Sequence, residues 1–141
     1  MKRYLYILAI PLFLLNCKKD EVPDPLPTIK ELVGRWRLVA TETTVDGEKV
    51  WESATASYYL IFRFDGVILN ENGNRPCCTP GSLIVNGVPF TIKPLAPVSS
   101  EFCGNVSCLY MPNLILQQNA DTLIVTPGIE NPHYRSRYLR E

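Results

Sequence analysis

The 141-residue chain predicts an all-β fold of eight or nine short strands, an antiparallel meander that closes into a barrel or folds into a sandwich. Three observations carry this expectation. From Gly34 onward no stretch keeps a helical period over a useful length, and short runs of β-branched and aromatic residues recur instead. Hairpin dipeptides punctuate those runs at Asp46-Gly47, Asp65-Gly66 and Asn86-Gly87. Four cysteines, Cys77, Cys78, Cys103 and Cys108, fall in two long segments rich in turn-forming residues, which suits loops tied together by disulfides.

Taken in order, Thr28 and Glu31 form a small capping box for one helical turn before Gly34. In residues 35–45, Trp36, Leu38 and Ala40 alternate with Arg35 and Arg37, so the first set faces inward. After Asp46-Gly47 a weaker strand returns over 48–53. Residues 57–64 alternate cleanly, with Tyr58, Leu60, Phe62 and Phe64 on one face and Tyr59, Ile61 and Arg63 on the other. Asp65-Gly66 then turns the chain into 67–70. A loop follows over 71–82, then a hairpin of 83–85 and 88–92 about Asn86-Gly87. A second loop runs to residue 107, and strands are expected at 109–118, 122–126 and 134–139.

The N-terminus carries a different signal. Met1, Lys2 and Arg3 precede an uncharged apolar run from Tyr4 to Leu15, the outline of a secretory signal. That run is shorter than the roughly 20 residues needed to cross a hydrocarbon core. Residues 1–16 are therefore read as a signal peptide. Residues 18–27, KKDEVPDPLP, are charged and proline-rich and behave as a flexible tether. Residues 28–141 remain as one domain. Removing Lys2 and Arg3 from the 14 basic residues leaves 12 against 14 acidic ones, a balance that does not favour nucleic acid.

Five cysteines make an odd set, which in an exported protein calls for an explanation. Assigning Cys17 elsewhere leaves an even four in an oxidising compartment. A bond between the neighbours Cys77 and Cys78 demands strained geometry, so each is expected to bond across to Cys103 or Cys108, with the connectivity open. A zinc site is the competing reading, but the spacing lacks paired C-x-x-C knuckles.

Leu14-Leu15-Asn16-Cys17 resembles the lipobox of bacterial lipoproteins, in which the Cys is lipidated and becomes the mature N-terminus; Asn16 stands where that pattern usually has a small residue. The alternative is an ordinary signal peptide with an incidental Cys. At GRWRLV, residues 34–39, Gly34-x-Trp36 resembles the motif that opens the first strand of lipocalins. The order of lipobox, proline-rich tether, L-x-G-x-W and meander is similar to small lipocalin-like lipoproteins of Bacteroidetes. The resemblance implies a lipocalin-like, up-and-down barrel closed at one end by Trp36, with an Arg from near the last strand across its indole. The ending YRSRYLRE offers Arg135, Arg137 and Arg140, of which Arg137 is expected in that role. It also implies a membrane anchor through lipid on Cys17 and an outer-membrane location on the periplasmic or cell-surface side. Lys19-Asp20-Glu21 resembles a surface-export signal, or is a plain solvated tether.

For chemistry, the single histidine, His133, has no partners placed by the sequence, and no hydrolase, zincin or phosphate-loop motif occurs. The expectation is a protein that is not an enzyme, needs no cofactor and binds a small apolar or amphipathic ligand, with Tyr58, Leu60, Phe62 and Phe64 as candidate lining. At this length most inward side chains should simply fill the interior, leaving a shallow mouth. The alternative is a protein-interaction or inhibitor module that works through the disulfide-tied loops.

Overall fold

The computed structural model describes residues 23–129 and 134–141. The signal segment, Cys17, Lys19-Asp20-Glu21 and His133 lie outside the described residues. A 3₁₀ turn over Pro27–Leu32 precedes nine strands: β1 (Gly34–Val45), β2 (Glu48–Ser53), β3 (Tyr59–Phe62), β4 (Ile68–Leu69), β5 (Ser82–Val85), β6 (Val88–Thr91), β7 (Leu114–Asn119), β8 (Thr122–Pro127) and β9 (Ser136–Arg140). The capping box does not form: Leu26 is the N-cap without a side-chain hydrogen bond. Pro27, whose ring presets the first helical position, begins the turn instead.

The strands form one sheet in the order β4-β3-β1-β9-β8-β7-β5-β6, with β2 pairing the far half of β1, and the sheet curls into a half-barrel. First and last strands are neighbours. The sheet is mixed, which corrects the expectation of a purely antiparallel meander: β5 and β7 run parallel, Leu83 opposite Leu114 and Val85 opposite Leu116. A parallel pair needs a long crossover, and the chain from β6 to β7 supplies it. That stretch includes residues 109–113, expected as strand but lying outside β7.

A bulge at Val39 shapes β1. Leu38 pairs with Tyr138 and Ala40 with Arg137, so one residue of β1 is left over. Because Tyr138 and Arg137 point to opposite faces, Ala40 also faces opposite to Leu38. The inward set expected as Trp36, Leu38, Ala40 therefore ends at Leu38. Glu42, two residues on, joins Trp51, its partner on β2, on the outer face.

The core gathers Trp36, Phe62, Leu83, Leu116 and Leu123 with Ile29 and Leu32 from the 3₁₀ turn, all fully buried. Each such aliphatic or aromatic side chain contributes about 1.5–3 kcal/mol relative to exposure. At this end the indole N–H of Trp36 donates to the Leu32 carbonyl at 2.7 Å, which satisfies its one polar atom inside the core. Arg140, directly opposite Trp36 on β9, lays its guanidinium 4.3 Å from the ring centroid. Arg140, not Arg137, closes this end. Arg137 lies on the other face of β9, where its Cζ is 4.2 Å from the ring of Trp51.

Strands β4 and β6 are the two ends of the sheet, and loop residues span the gap between them. The Asp65 carboxylate accepts the N–H of Leu95 at 2.8 Å, and Arg63 donates to the carbonyls of Ala96 and Pro97, both at 2.9 Å. Higher up, Arg75 and Ser100 form a parallel bridge, with Arg75 N–H on Ser99 O and Glu101 N–H on Arg75 O. These contacts fasten the segment after β6 to the turns that flank β4.

Candidate functional site

Opposite the Trp36 end, the half-barrel opens into a cavity of about 210 Å³. Its lower wall comes from strand alternation. Leu60 on β3, Ile68 on β4, Leu114 on β7, Val125 on β8, and Ser136 and Tyr138 on β9 all border it. Val125 stands opposite Ser136 and Leu116, so the cavity rests on the packed layer of Leu116, Leu123 and Tyr138. Its upper wall is the segment Pro76–Pro80 together with Met111, and Tyr58 and Tyr134 stand at the rim.

Disulfides hold that upper wall in place. Cys77 bonds Cys103 and Cys78 bonds Cys108, the cross-pairing expected for two neighbouring cysteines. Cys78 adopts a left-handed backbone, φ 64°, a turn that lets consecutive side chains reach two separate partners. The four sulfurs are therefore spent in covalent bonds and unavailable to zinc. Among the described residues no group of three His, Cys, Asp or Glu side chains converges.

The candidate lining residues separate. Tyr58 and Leu60 border the cavity. Phe62, one layer deeper, is fully buried in the core and fills space rather than enclosing it. Phe64 lies beyond the end of β3, at the closed end where its carbonyl accepts the Leu26 N–H. Strand alternation could not separate these four, because it reports the face and not the depth.

Sequence reasoning missed the contributions of Ile68, Val125, Ser136 and Tyr138. The alternation in β8 and β9 carried the signal, but it became readable only once the register with β1 was known. Burial, and then the nearby phenol of Tyr58, push the Tyr138 hydroxyl well above the usual tyrosine range. Burial, and then the Glu101 carboxylate, also raise Tyr58. Both phenols stay neutral at ordinary pH and offer O–H groups beside an otherwise apolar floor. Tyr58 further borders a second, polar hollow of about 170 Å³ with Ser57, Asn70, Glu71 and Glu101.

On the outer face, Glu42 is buried beneath Arg135, whose guanidinium grips both carboxylate oxygens. Lys49 approaches the same carboxylate at 3.6 Å. The Arg135 hydrogen bond, against the opposing effect of burial, holds the Glu42 carboxyl below the usual range. This cluster ties Arg135, just before β9, to β1 and to Lys49 of β2, and stands apart from the cavity.

No family model matches this chain, and no curated protein or solved structure proves similar to it.

Proposed function

We propose that the protein is an exported lipoprotein, anchored to the outer membrane through Cys17, whose lipocalin-like domain holds the apolar part of a small amphipathic ligand. The observation that carries the binding reading is the 210 Å³ cavity, with its floor of Leu60, Ile68, Leu114 and Val125, the hydroxyls of Tyr138 and Ser136 in its lower wall and Tyr58 at its rim. Apolar walls with a few polar groups suit ligands of this kind. The volume is below the roughly 300 Å³ at which drug-sized sites begin, so the cavity takes one ring or a short chain while the polar end of the ligand stays at the mouth.

The lipocalin-like reading is supported by the turn before Gly34-x-Trp36, the pairing of first and last strands, and the arginine over the tryptophan. The anchor rests on the lipobox resemblance and on chemistry: two acyl chains hold a membrane where a single one holds only marginally. In this reading the protein carries or senses its ligand and transforms nothing.

The test compares extracts. Wild-type full-length protein and a Leu114→Trp variant, whose larger side chain fills the cavity, are purified identically from membranes, extracted with organic solvent and analysed by mass spectrometry. Membrane lipid appears in both extracts, and the covalently attached anchor stays with the protein. A compound present in the wild-type extract and depleted at least severalfold in the variant is the expected result. Indistinguishable extracts from two folded proteins would refute ligand binding. For the anchor, fatty-acid labelling must disappear in Cys17→Ala.

A further inference from the structure

We propose that the disulfide-tied loop 101–110 is a second, non-covalent membrane contact, in which Phe102, Leu109 and Tyr110 insert into the interfacial region of a lipid bilayer. The loop projects these side chains into solvent: Phe102 is 87%, Tyr110 82% and Leu109 75% exposed. Protein partners need a complementary pocket for each protruding ring. A bilayer interface accepts such side chains without one, and aromatic residues favour that depth.

Charge supports the same occupant. From Pro94 to Ala120 the only charged residue is Glu101, and its carboxylate is turned back to the barrel, where it accepts a hydrogen bond from the side-chain amide of Asn70. The tip therefore enters the interface without dragging a charge along. Insertion stays shallow, because the loop leaves backbone groups that need headgroups or water as partners.

Rigidity comes from the flanking bonds. Phe102 adjoins Cys103 and Leu109 adjoins Cys108, and both cysteines are bonded to the barrel rim. The ring of Phe102 also rests over Gly104, where an added Cβ would meet it at 2.6 Å. Little conformational freedom is left to lose on insertion. Docking also places the cavity mouth, which shares Cys78 and Met111 with this rim, where amphipathic ligands partition. The placement of the cavity mouth draws on the ligand-binding reading; the loop contact itself stands without the anchor.

The test uses full-length protein carrying Phe102→Trp in a Trp51→Phe background, mixed with phosphatidylethanolamine/phosphatidylglycerol vesicles doped with phosphatidylcholine brominated on its acyl chains. Expected are a blue shift of the introduced indole and loss of its emission to bromine quenching. A second variant, with Phe102, Leu109 and Tyr110 all replaced by Ser, should keep its circular dichroism and melting temperature yet lose the protection of loop amides from exchange that vesicles give the wild type. Flotation of the vesicles reads the anchor separately. Protein that floats with its introduced indole unshifted and unquenched overturns the loop contact while keeping the anchor. Quenching by added vesicles in a Cys17→Ala version supports the loop contact even if the anchor fails. An indole unaffected by vesicles but shielded by a co-purifying membrane protein overturns the proposal in favour of a protein partner.

Discussion

Arg140 binds three elements at once: it covers the ring of Trp36 at 4.3 Å, donates to Val33 O at 3.1 Å and also reaches Glu31 O. The last strand, the first strand and the 3₁₀ turn are therefore locked through one side chain. A cation over an indole contributes about 0.5–2 kcal/mol, and hydrogen bonds from a charged donor contribute about 1.5–3 kcal/mol. Arg140→Ala is expected to lower unfolding free energy by about 2–3 kcal/mol in urea titrations. Arg140→Lys should recover only part of this, since an ammonium cannot lie flat on the ring and fork to two carbonyls. Arg137→Ala should leave the Trp36 end unchanged, and an equal loss from both variants would refute the assignment.

Asp65 is fully buried and bridges the β3–β4 turn to Leu95. Burial alone would raise its pKa, but hydrogen bonds from Arg63, Leu95 and Val67, with the charge of Arg63, outweigh it and hold the carboxyl below its ordinary 3.8. A depressed carboxylate stabilises the fold above its unfolded pKa, and that stabilisation disappears as pH falls through the folded value. Melting temperature should thus be flat near neutrality and fall below about pH 4. Asp65→Asn, which leaves Arg63 without its counter-charge, should cost roughly 3 kcal/mol at neutral pH and flatten much of the acid limb. An unchanged acid limb in that variant would assign it elsewhere, with Glu42 the next candidate.

Gly66 marks where the two ends of the half-barrel approach. Its φ is +82°, and a Cβ there would meet the Phe90 ring at 2.4 Å. Gly66→Ala therefore combines backbone strain of about 1 kcal/mol with displacement of Phe90 from the seam. A loss of about 2–3 kcal/mol is expected, with faster exchange at Leu95, whose N–H bonds the adjacent Asp65. Gly47, also at positive φ but with open space around its Cβ position, should lose only the strain. Equal costs at the two sites would show that Phe90 does not press on the turn.

Features resting on local chemistry were legible in the chain. Asp46-Gly47 and Asn86-Gly87 do make hairpins, because adjacent left-handed residues demand those side chains. The crossing of Cys77 and Cys78 to later partners follows from the geometry that forbids a bond between neighbours. Illegible were features decided between distant segments. No Gly or Pro marks the bulge at Val39, so the reversal that sends Glu42 outward is invisible in TETTV. The choice of Arg140 over Arg137 depends on a register with β1 that alternation alone leaves ambiguous by one residue. The parallel pairing of β5 with β7 joins segments separated by β6 and the loop from 92 to 113, and no local residue pattern marks it.

The disulfides separate rim from core, and their removal should show it. The bonds span 26 and 30 residues, for which the chain-entropy model gives about 3–4 kcal/mol each. Their loops overlap, so the second bond contributes less than the first. Cys77→Ser with Cys103→Ser, and Cys78→Ser with Cys108→Ser, should each lower the unfolding free energy in urea titrations by less than that range, because the other bond still closes nearly the same loop. The core around Trp36, Leu116 and Leu123 is built from other segments, so far-UV circular dichroism should persist in both. Rim amides from 100 to 111 should exchange faster in each variant. Only the second pair removes a bond from beside Met111 and Tyr110 as well as from the cavity wall, so it should weaken ligand retention more than the first. Global unfolding of either variant would mean that the loops are part of the core's stability rather than a rim fastened onto it.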